Sequence, residues 1–396
     1  MNKIVSFFMA ILYSAMSLFG IAFTPADLEP EKTDFIPASA AELELYSYIF
    51  ETETAFLASI QLDNGALPMT WAKNGNVTVN PYFADFAALA LLDDAEKYAG
   101  NVVKYMDWHF DHLNTAKEDF NGLDGTIYDY IITMKDGRVH SEAISTPENA
   151  DSYDTTDSYA ATFLTVLYKY LCKTGDAEYI ISNARDIERI TNVMFATLQN
   201  GLTYAKGNHR VKYLMDNCEV YEGAIAATGL FDELVKSGRA EYTDMRDDCS
   251  ELITTVKDSI NSKLWNFTGG YYRPGITAYV SIPTKIFSWD IYYPQATSQL
   301  FPIICGVIEP DTPRAKSLYE KFCDTYHWEA FEYPDDFYWG ANVYAAAVMN
   351  DTESVAEYMT NYLPLTEKHS WPLYNMDIAR TAMAAHIMLE RNAASQ

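Results

Sequence analysis

Beyond residue 40, apolar residues recur at intervals of three and four along nearly the whole chain. That spacing is the mark of helices that each bury one stripe or more. It predicts twelve helices, near 41–61, 83–93, 95–114, 155–173, 177–199, 217–235, 241–265, 291–308, 312–327, 338–349, 352–363 and 376–391. Period-two alternation is scarce, although YYRPGITAYVSI at 271–282 reads as a short hairpin inside a loop.

Two regularities turn this list into an architecture. The even-numbered helices are apolar or small on nearly all sides, as in GAIAATGLF and GANVYAAAVM, and a helix of that kind is surrounded by protein. The odd-numbered helices carry charge along one side, as in RDDCSELITTVKDSINSKL, and fit an outer layer. Connections alternate as well. Short turns such as DDAE and KTGDAE follow the even helices, while longer loops at 62–82, 115–154, 200–216, 266–290, 328–337 and 364–375 follow the odd ones. Short turns make antiparallel pairs, so the long loops gather on one face. Six outer and six inner helices in alternation describe an all-α (α/α)6 toroid, expected over residues 41–392, with every inner helix starting at the long-loop face.

Those inner starts share a chemistry. They read YFADF (Asp85), DSYDTTDSY (Asp151, Asp154, Asp157), MDNCEVYE (Asp216, Glu219, Glu222), SWDIYYP (Asp290), YPDDFYWG (Asp335, Asp336) and YNMD (Asp377). Acidic residues favour the first turn of any helix, and DTTD and DNCE both resemble capping boxes with Asp154 and Asp216 as caps. Capping does not require aromatic rings, yet Tyr82, Tyr153, Tyr159, Tyr221, Trp289, Tyr293, Trp339 and Trp371 accompany the carboxylates. Sugars need both, because their C–H faces stack on rings and their hydroxyls bond to carboxylates. Asp63 and Trp71, in the loop at 62–82, join the set of candidate sugar contacts.

Composition narrows the partners. The chain has 396 residues, 55 acidic against 28 basic, for a formal net charge of −27. Such a field repels nucleic acid, anionic lipid and polyanionic substrates. Lys3 precedes twenty uncharged residues, IVSFFMAILYSAMSLFGIAF, the layout of a signal peptide or an uncleaved membrane anchor at 1–26. A linker at 27–40 and an exported, monomeric protein are the corresponding expectations, with any membrane contact confined to that first segment. Five widely spaced cysteines make no disulfide framework, and the His109/His112 pair beside Trp108 reads as packing, so neither metal nor cofactor is expected.

The helix-pair pattern resembles the six-hairpin glycosidase superfamily, most closely in QLDNGALPM, DTTDSYAATFLTVLYKYLCKTGD, YLMDNCEVYEGAIAATGLF and WDIYYPQATSQLFPIICGVIEPD. Two features resemble glycoside hydrolase family 8: Asp157 before an Ala/Leu-rich run, and Trp289-Asp290 before Pro294. The sequence departs from that family at helix 2, where Asp85 stands and a Glu acid is usual. The resemblance implies hydrolysis of a neutral or amino-sugar oligo- or polysaccharide. In that scheme Asp290 is the expected base, since the free N–H groups of an inner helix would hold its charge. Glu219 is the expected acid, with Asp216 and Glu222 raising its pKa, and Asp157, the third catalytic candidate, grips the sugar in the central subsite and can exchange roles with either. Asp63, Trp71, Asp85, Asp154, Asp216, Trp289, Tyr293 and Trp339 are the expected substrate contacts. A polysaccharide lyase and a non-catalytic glycan-binding protein stay open as alternatives.

Overall fold

The computed structural model describes residues 26–31, 36–146, 152–334, 337–369 and 373–395. Residues 1–25 of the segment at 1–26 expected as a signal peptide or anchor, and the candidates Asp151, Asp335, Asp336 and Trp371, lie outside the described residues. The outer helices are α1 (Ala40–Ser59), α3 (Ala95–Asp111), α5 (Ala184–Thr197, preceded by a short piece at Ala177–Ser182), α7 (Thr243–Ser259), α9 (Pro313–Cys323) and α11 (Thr352–Tyr362). The inner helices are α2 (Pro81–Leu91), α4 (Asp157–Thr174), α6 (Leu214–Lys236), α8 (Phe301–Ile304), α10 (Ala341–Met349) and α12 (Asn375–Ala394).

The inner helices close a ring. Each packs on the next, α2 on α4, α4 on α6, α6 on α8, α8 on α10, α10 on α12, and α12 back on α2. Burial follows the two helix chemistries. Nine of the eleven residues of α2 are buried, whereas α3 buries only a stripe of Tyr98, Val102, Tyr105, Met106, Trp108 and His109. Small residues allow the ring to be tight: a Cβ on Gly223 of α6 would stand 2.6 Å from the Cα of Ala161 on α4. The result is the (α/α)6 toroid, with α6 and α12 three steps apart in either direction and therefore opposite one another. Among the described residues no helix is long and apolar enough to cross a membrane.

Four features differ from the sequence reading. The long connection at 115–154 contains a hairpin, β2 (Tyr130–Lys135) with β3 (Arg138–Ile144), and β1 (Gly75–Val79) adds to β2 as a third antiparallel strand. The hairpin turns on Asp136 and Gly137, both at positive φ, as a two-residue turn between right-twisted strands requires. Helix 8, expected over 291–308, is broken: Tyr293 is extended because the ring of Pro294 excludes it from the helical region, and a regular α-helix starts only at Phe301. The 271–282 segment divides its pairing. Tyr271–Tyr272 pairs back with Trp265–Asn266, Gly275–Thr277 pairs with Val211–Tyr213, and only a bridge from Ile276 to Pro283 belongs to a local hairpin. Finally, part of the expected linker is docked on α9, where Asp27 bonds the buried Arg314 at 3.0 Å.

Candidate active site

All six inner helix starts contribute to one cavity of about 280 Å³ at the long-loop end of the ring. Helix α2 is capped by Asn80, whose side chain accepts from Phe83 N at 3.1 Å, with Pro81 at the first helical position. This aims Tyr82 inward, and its hydroxyl donates to Oε1 of Glu219 at 2.5 Å. Ser158, in the first turn of α4, donates to Oε2 of the same carboxyl. Asp216 and Glu219 lie at i and i+3 on α6, so both reach the cavity from one side. On the opposite wall α12 supplies Asp377. Its Oδ2 accepts from Tyr374 N at 3.1 Å, and its Oδ1 from Gly340 N, ahead of α10, at 2.9 Å.

The expected capping roles change with this geometry. Helix α4 begins at Asp157 itself behind Thr156, and α6 begins at Leu214 behind Tyr213, with no side-chain cap on either. Asp216 is therefore the third residue of its helix and not a cap. Its Oδ2 is buried and, among the described residues, has no hydrogen-bond partner.

Burial dominates the electrostatics. It raises Asp216 well above the carboxylate range, and the neighbouring charges of Asp157, Glu219 and Asp154 push it further. Burial raises Glu219 to about 7, against the pull of the Ser158 and Tyr82 hydroxyls and of Arg380. Asp377 is raised to about 7 by burial, although two backbone N–H groups favour its charge. Asp157 is raised to about 6, by burial first and by Asp154 least. The cavity thus sets a carboxyl that burial and neighbouring charges hold well above its ordinary range opposite one raised to about 7.

Rings line the mouth. Tyr293, 46% exposed, stacks on Phe337 at 4.5 Å between centroids. Trp339 stacks on Phe301 at 5.6 Å, and Tyr82 on Tyr159 at 6.1 Å.

Of the candidates read from sequence, Asp154, Asp216, Glu219, Tyr293 and Trp339 come together around this cavity. Asp157 is buried behind it, where its Oδ1 accepts from Ser158 N at 3.0 Å. Asp85 is buried deeper, bonded to Tyr105 at 2.8 Å and Thr162 at 2.6 Å, so its capacity is spent within the ring. Asp290 is exposed, bonded to Ser288 at 3.1 Å, and lines no part of the cavity, and half-buried Trp289 packs edge-on against Phe287 at 5.3 Å. The two residues that carried the likeness to family 8 at helix 8 are thus away from the other carboxyls, because the break at Tyr293 turns them outward. Asp63 is exposed and accepts from Val139 N at 2.9 Å, fastening the β2–β3 hairpin. Trp71 packs edge-on against Phe56 at 4.8 Å. His109 stacks on Phe163 at 3.5 Å, and burial lowers its pKa, so it serves packing.

Sequence reasoning gave no role to Ser158, Asn80, Phe337 or Tyr374. Asp377 was visible only as one acidic helix start among six.

The same ring occurs in solved glycosidases. A glycosidase variant in complex with glucose matches 90% of this chain and 99% of its own, with a TM-score of 0.56 and 11% identity. A β-1,3-1,4-glucanase from Paenibacillus matches 92% of this chain and 98% of its own, at 0.56 and 11%. A GH63 mannosylglycerate hydrolase from Thermus thermophilus, bound to glucose, matches 85% and 99%, at 0.53 and 10%. At such identities the likeness is one of fold. By sequence the chain matches no protein-family model and no curated protein.

Proposed function

We propose that this chain is an exported glycoside hydrolase of a neutral or amino-sugar oligo- or polysaccharide. One observation carries the reading: a ring-lined cavity with the buried, unpartnered Oδ2 of Asp216, whose pKa burial raises, on one wall and the N–H-held Asp377 on the opposite wall, among the described residues. Glycoside hydrolysis asks for one carboxyl in each state on either side of the scissile bond. The glycosidases that share the fold support it, and the N-terminal layout of Lys3 and an apolar run supports export.

In this scheme Asp216 protonates the glycosidic oxygen as its bond to the anomeric carbon breaks. A water held by Asp377 attacks the opposite face, and its proton passes to that carboxylate. Glu219, held on both oxygens, grips sugar hydroxyls at the floor and takes a positioning part. The acid role thereby moves from Glu219 to Asp216, and the base role from Asp290 to Asp377. Because water attacks directly in this scheme and no carboxylate bonds to the sugar, the anomeric configuration inverts.

The test is a panel of neutral and N-acetylated oligosaccharides, with products followed by NMR. Release of reducing sugar with an inverted anomer, lost in Asp216→Asn and Asp377→Asn, is the expected result. An unsaturated product would make the protein a lyase. Binding without turnover across the panel would make it a glycan-binding protein.

A further inference from the structure

The cavity continues past Asp216. A second compartment of about 690 Å³ opens beside it and shares Asp154, Thr155, Met215, Asp216 and Tyr293 with it. A third, of about 500 Å³, shares Pro274, Thr284 and Lys285 with the second. The three make one continuous cleft, bordered by the loop at 271–293. Of the three compartments, Asp377 lines only the first, so the scheme above puts the anomeric carbon and its attacking water there. The proton donor Asp216 stands at the first junction, which sends the leaving group into the second compartment and on toward the third.

The far end of this cleft suits a neutral sugar. Tyr271 and Phe287 stack at 4.1 Å between centroids and 15° between planes, and both line the third compartment. Arg273 Nη1 donates to Lys263 O and Trp265 O, both at 3.0 Å, which fixes the guanidinium in the same wall and leaves N–H groups for hydroxyls. Rings beside fixed donors match the C–H face and the hydroxyls of a pyranose. Charge of neither sign dominates the second compartment, where Asp154 and Asp216 stand with Lys206 and Lys285, and Lys206 is spent on Tyr153 O at 2.9 Å. A second observation is independent of the cleft's shape. Of the twelve large apolar side chains that stand exposed among the described residues, six lie in 279–293: Tyr279, Val280, Ile282, Ile286, Ile291 and Tyr293. Ile286, 93% exposed, lines the third compartment itself. So dense an exposed apolar patch marks a surface that a ligand covers, and its continuity with the cleft identifies the ligand as the far part of the same sugar chain.

We infer that the leaving-group side of the cleft holds two or more neutral sugar units, with Tyr271 and Phe287 as the platform of the distal one, so that the preferred substrate is a chain longer than a disaccharide. The inference rests on the hydrolase reading for its direction, since the proton donor stands where the first two compartments meet. The sizes agree with it. The first compartment falls below the about 300–1,000 Å³ of drug-sized ligand pockets and takes one unit, while each of the outer two is larger.

The probes are di- and trisaccharides of glucose and of N-acetylglucosamine, in α and β linkage, given to the wild type, Phe287→Ala, Phe287→Trp and Ile286→Ser. Both kcat/KM and calorimetric affinity are read for each. The trisaccharide should exceed its disaccharide in kcat/KM by about threefold to tenfold, the range of one ring contact. That ratio should fall toward one in Phe287→Ala and return in Phe287→Trp. Ile286→Ser, at a side chain already in solvent, should lower it with no cost to the fold. A ratio near one in the wild type, or one untouched by Phe287→Ala, would overturn the inference. A concentration-dependent dimer in sedimentation, together with a ratio near one, would assign the exposed patch to a second copy of the chain and overturn it as well. A Phe287-dependent affinity for trisaccharide in a protein that hydrolyses nothing would keep the cleft and remove the hydrolase. Equal hydrolysis of both lengths would do the reverse.

Discussion

Asp216 and Glu219 stand one turn apart on α6, both buried against the same cavity, and differ in how their oxygens are held. Each oxygen of Glu219 accepts a hydroxyl hydrogen, from Tyr82 and from Ser158, while Oδ2 of Asp216 has no partner among the described residues. Hydroxyl donors favour an ionised acceptor, whereas burial and the nearby Asp157, Glu219 and Asp154 favour the protonated form of Asp216. The two side chains are thus suited to different work despite their shared helix face.

Asp216→Asn keeps the shape and removes the transferable proton. The rate should fall by about 10²–10⁴, the usual worth of a positioned acid. Because Asp216 titrates well above the carboxylate range, its loss should also abolish the alkaline limb of the kcat profile. Aryl glycosides with acidic leaving groups should lose less, since they need less protonation. Initial rates between about pH 4 and 9 on both substrate types settle the point. A variant that keeps more than about a tenth of the rate on an alkyl glycoside would return the acid role to Glu219.

Tyr82→Phe tests the other member of the pair. Tyr82 lowers the pKa of Glu219 by donating to it, so its removal raises that pKa. Activity that needs ionised Glu219 should then require a higher pH. The acidic limb of kcat/KM is expected to move upward by about one unit, as loss of one hydrogen bond to a charged group implies. An acidic limb that stays in place would show that Glu219 does not set it.

Asp290→Asn should leave kcat/KM within about twofold of wild type, in line with an exposed substitution away from the cavity. A loss of tenfold or more on the same substrate would place Asp290 in the reaction despite its outward position.

The ring itself was legible because its signal is periodic and repeated. Apolar helices such as α2 and α10 can only be buried, and alternating turn lengths leave few ways to arrange six pairs. What escaped was set by single residues. Asp136-Gly137 is a hairpin signal inside KDGR, but the polar strand β3 alternates too weakly to stand out from a loop. Pro294 breaks helix 8 and so decides that Asp290 turns away, a consequence that helical periodicity cannot register. The site was legible as a class of residue at a class of position. Which carboxyl faces the cavity depends on the register of each helix start. The N-cap of α6 is Tyr213, three residues ahead of the expected cap Asp216, and each residue of such a shift moves a side chain about 100° around the helix.

Burial makes the fold more stable in mild acid. Glu219, Asp129 and Asp377 are raised to about 7 and Asp157 to about 6, in each case chiefly by burial. In the unfolded chain such groups titrate near 4. A carboxyl whose folded pKa is the higher one contributes its full stability below the unfolded pKa and loses it as pH rises through the folded value. Stability should therefore fall between about pH 4 and 7, at up to about 1.4 kcal/mol per pH unit for each group. Asp129→Asn, which can keep the bond to the Tyr159 hydroxyl, should make this slope shallower. Urea unfolding at pH 5 and pH 8 measures it, and a wild type more stable at pH 8 would contradict the account.

Gly223 links the packing of the ring to the chemistry of its mouth. It lies one turn below Glu219, as Ala161 lies one turn below Ser158, and the two small residues bring α6 and α4 together. A Cβ at 223 would approach Ala161 Cα and Cβ at 2.6 Å and its carbonyl oxygen at 3.0 Å. Two of those atoms are backbone, so no rotamer change relieves the clash and the helices must separate. Gly223→Ala gains helix propensity of about 1 kcal/mol, yet overpacking of this kind costs about 1–3 kcal/mol. A net destabilisation is expected, read as a lower urea midpoint at unchanged slope. Separation of the helices also lengthens the Ser158–Glu219 contact, which spans the same interface one turn higher. The KM for substrate should therefore rise even at temperatures where the variant is fully folded. A Gly223→Ala protein as stable as wild type, with unchanged KM, would show that the close approach of α4 and α6 does not hold the floor of the cavity.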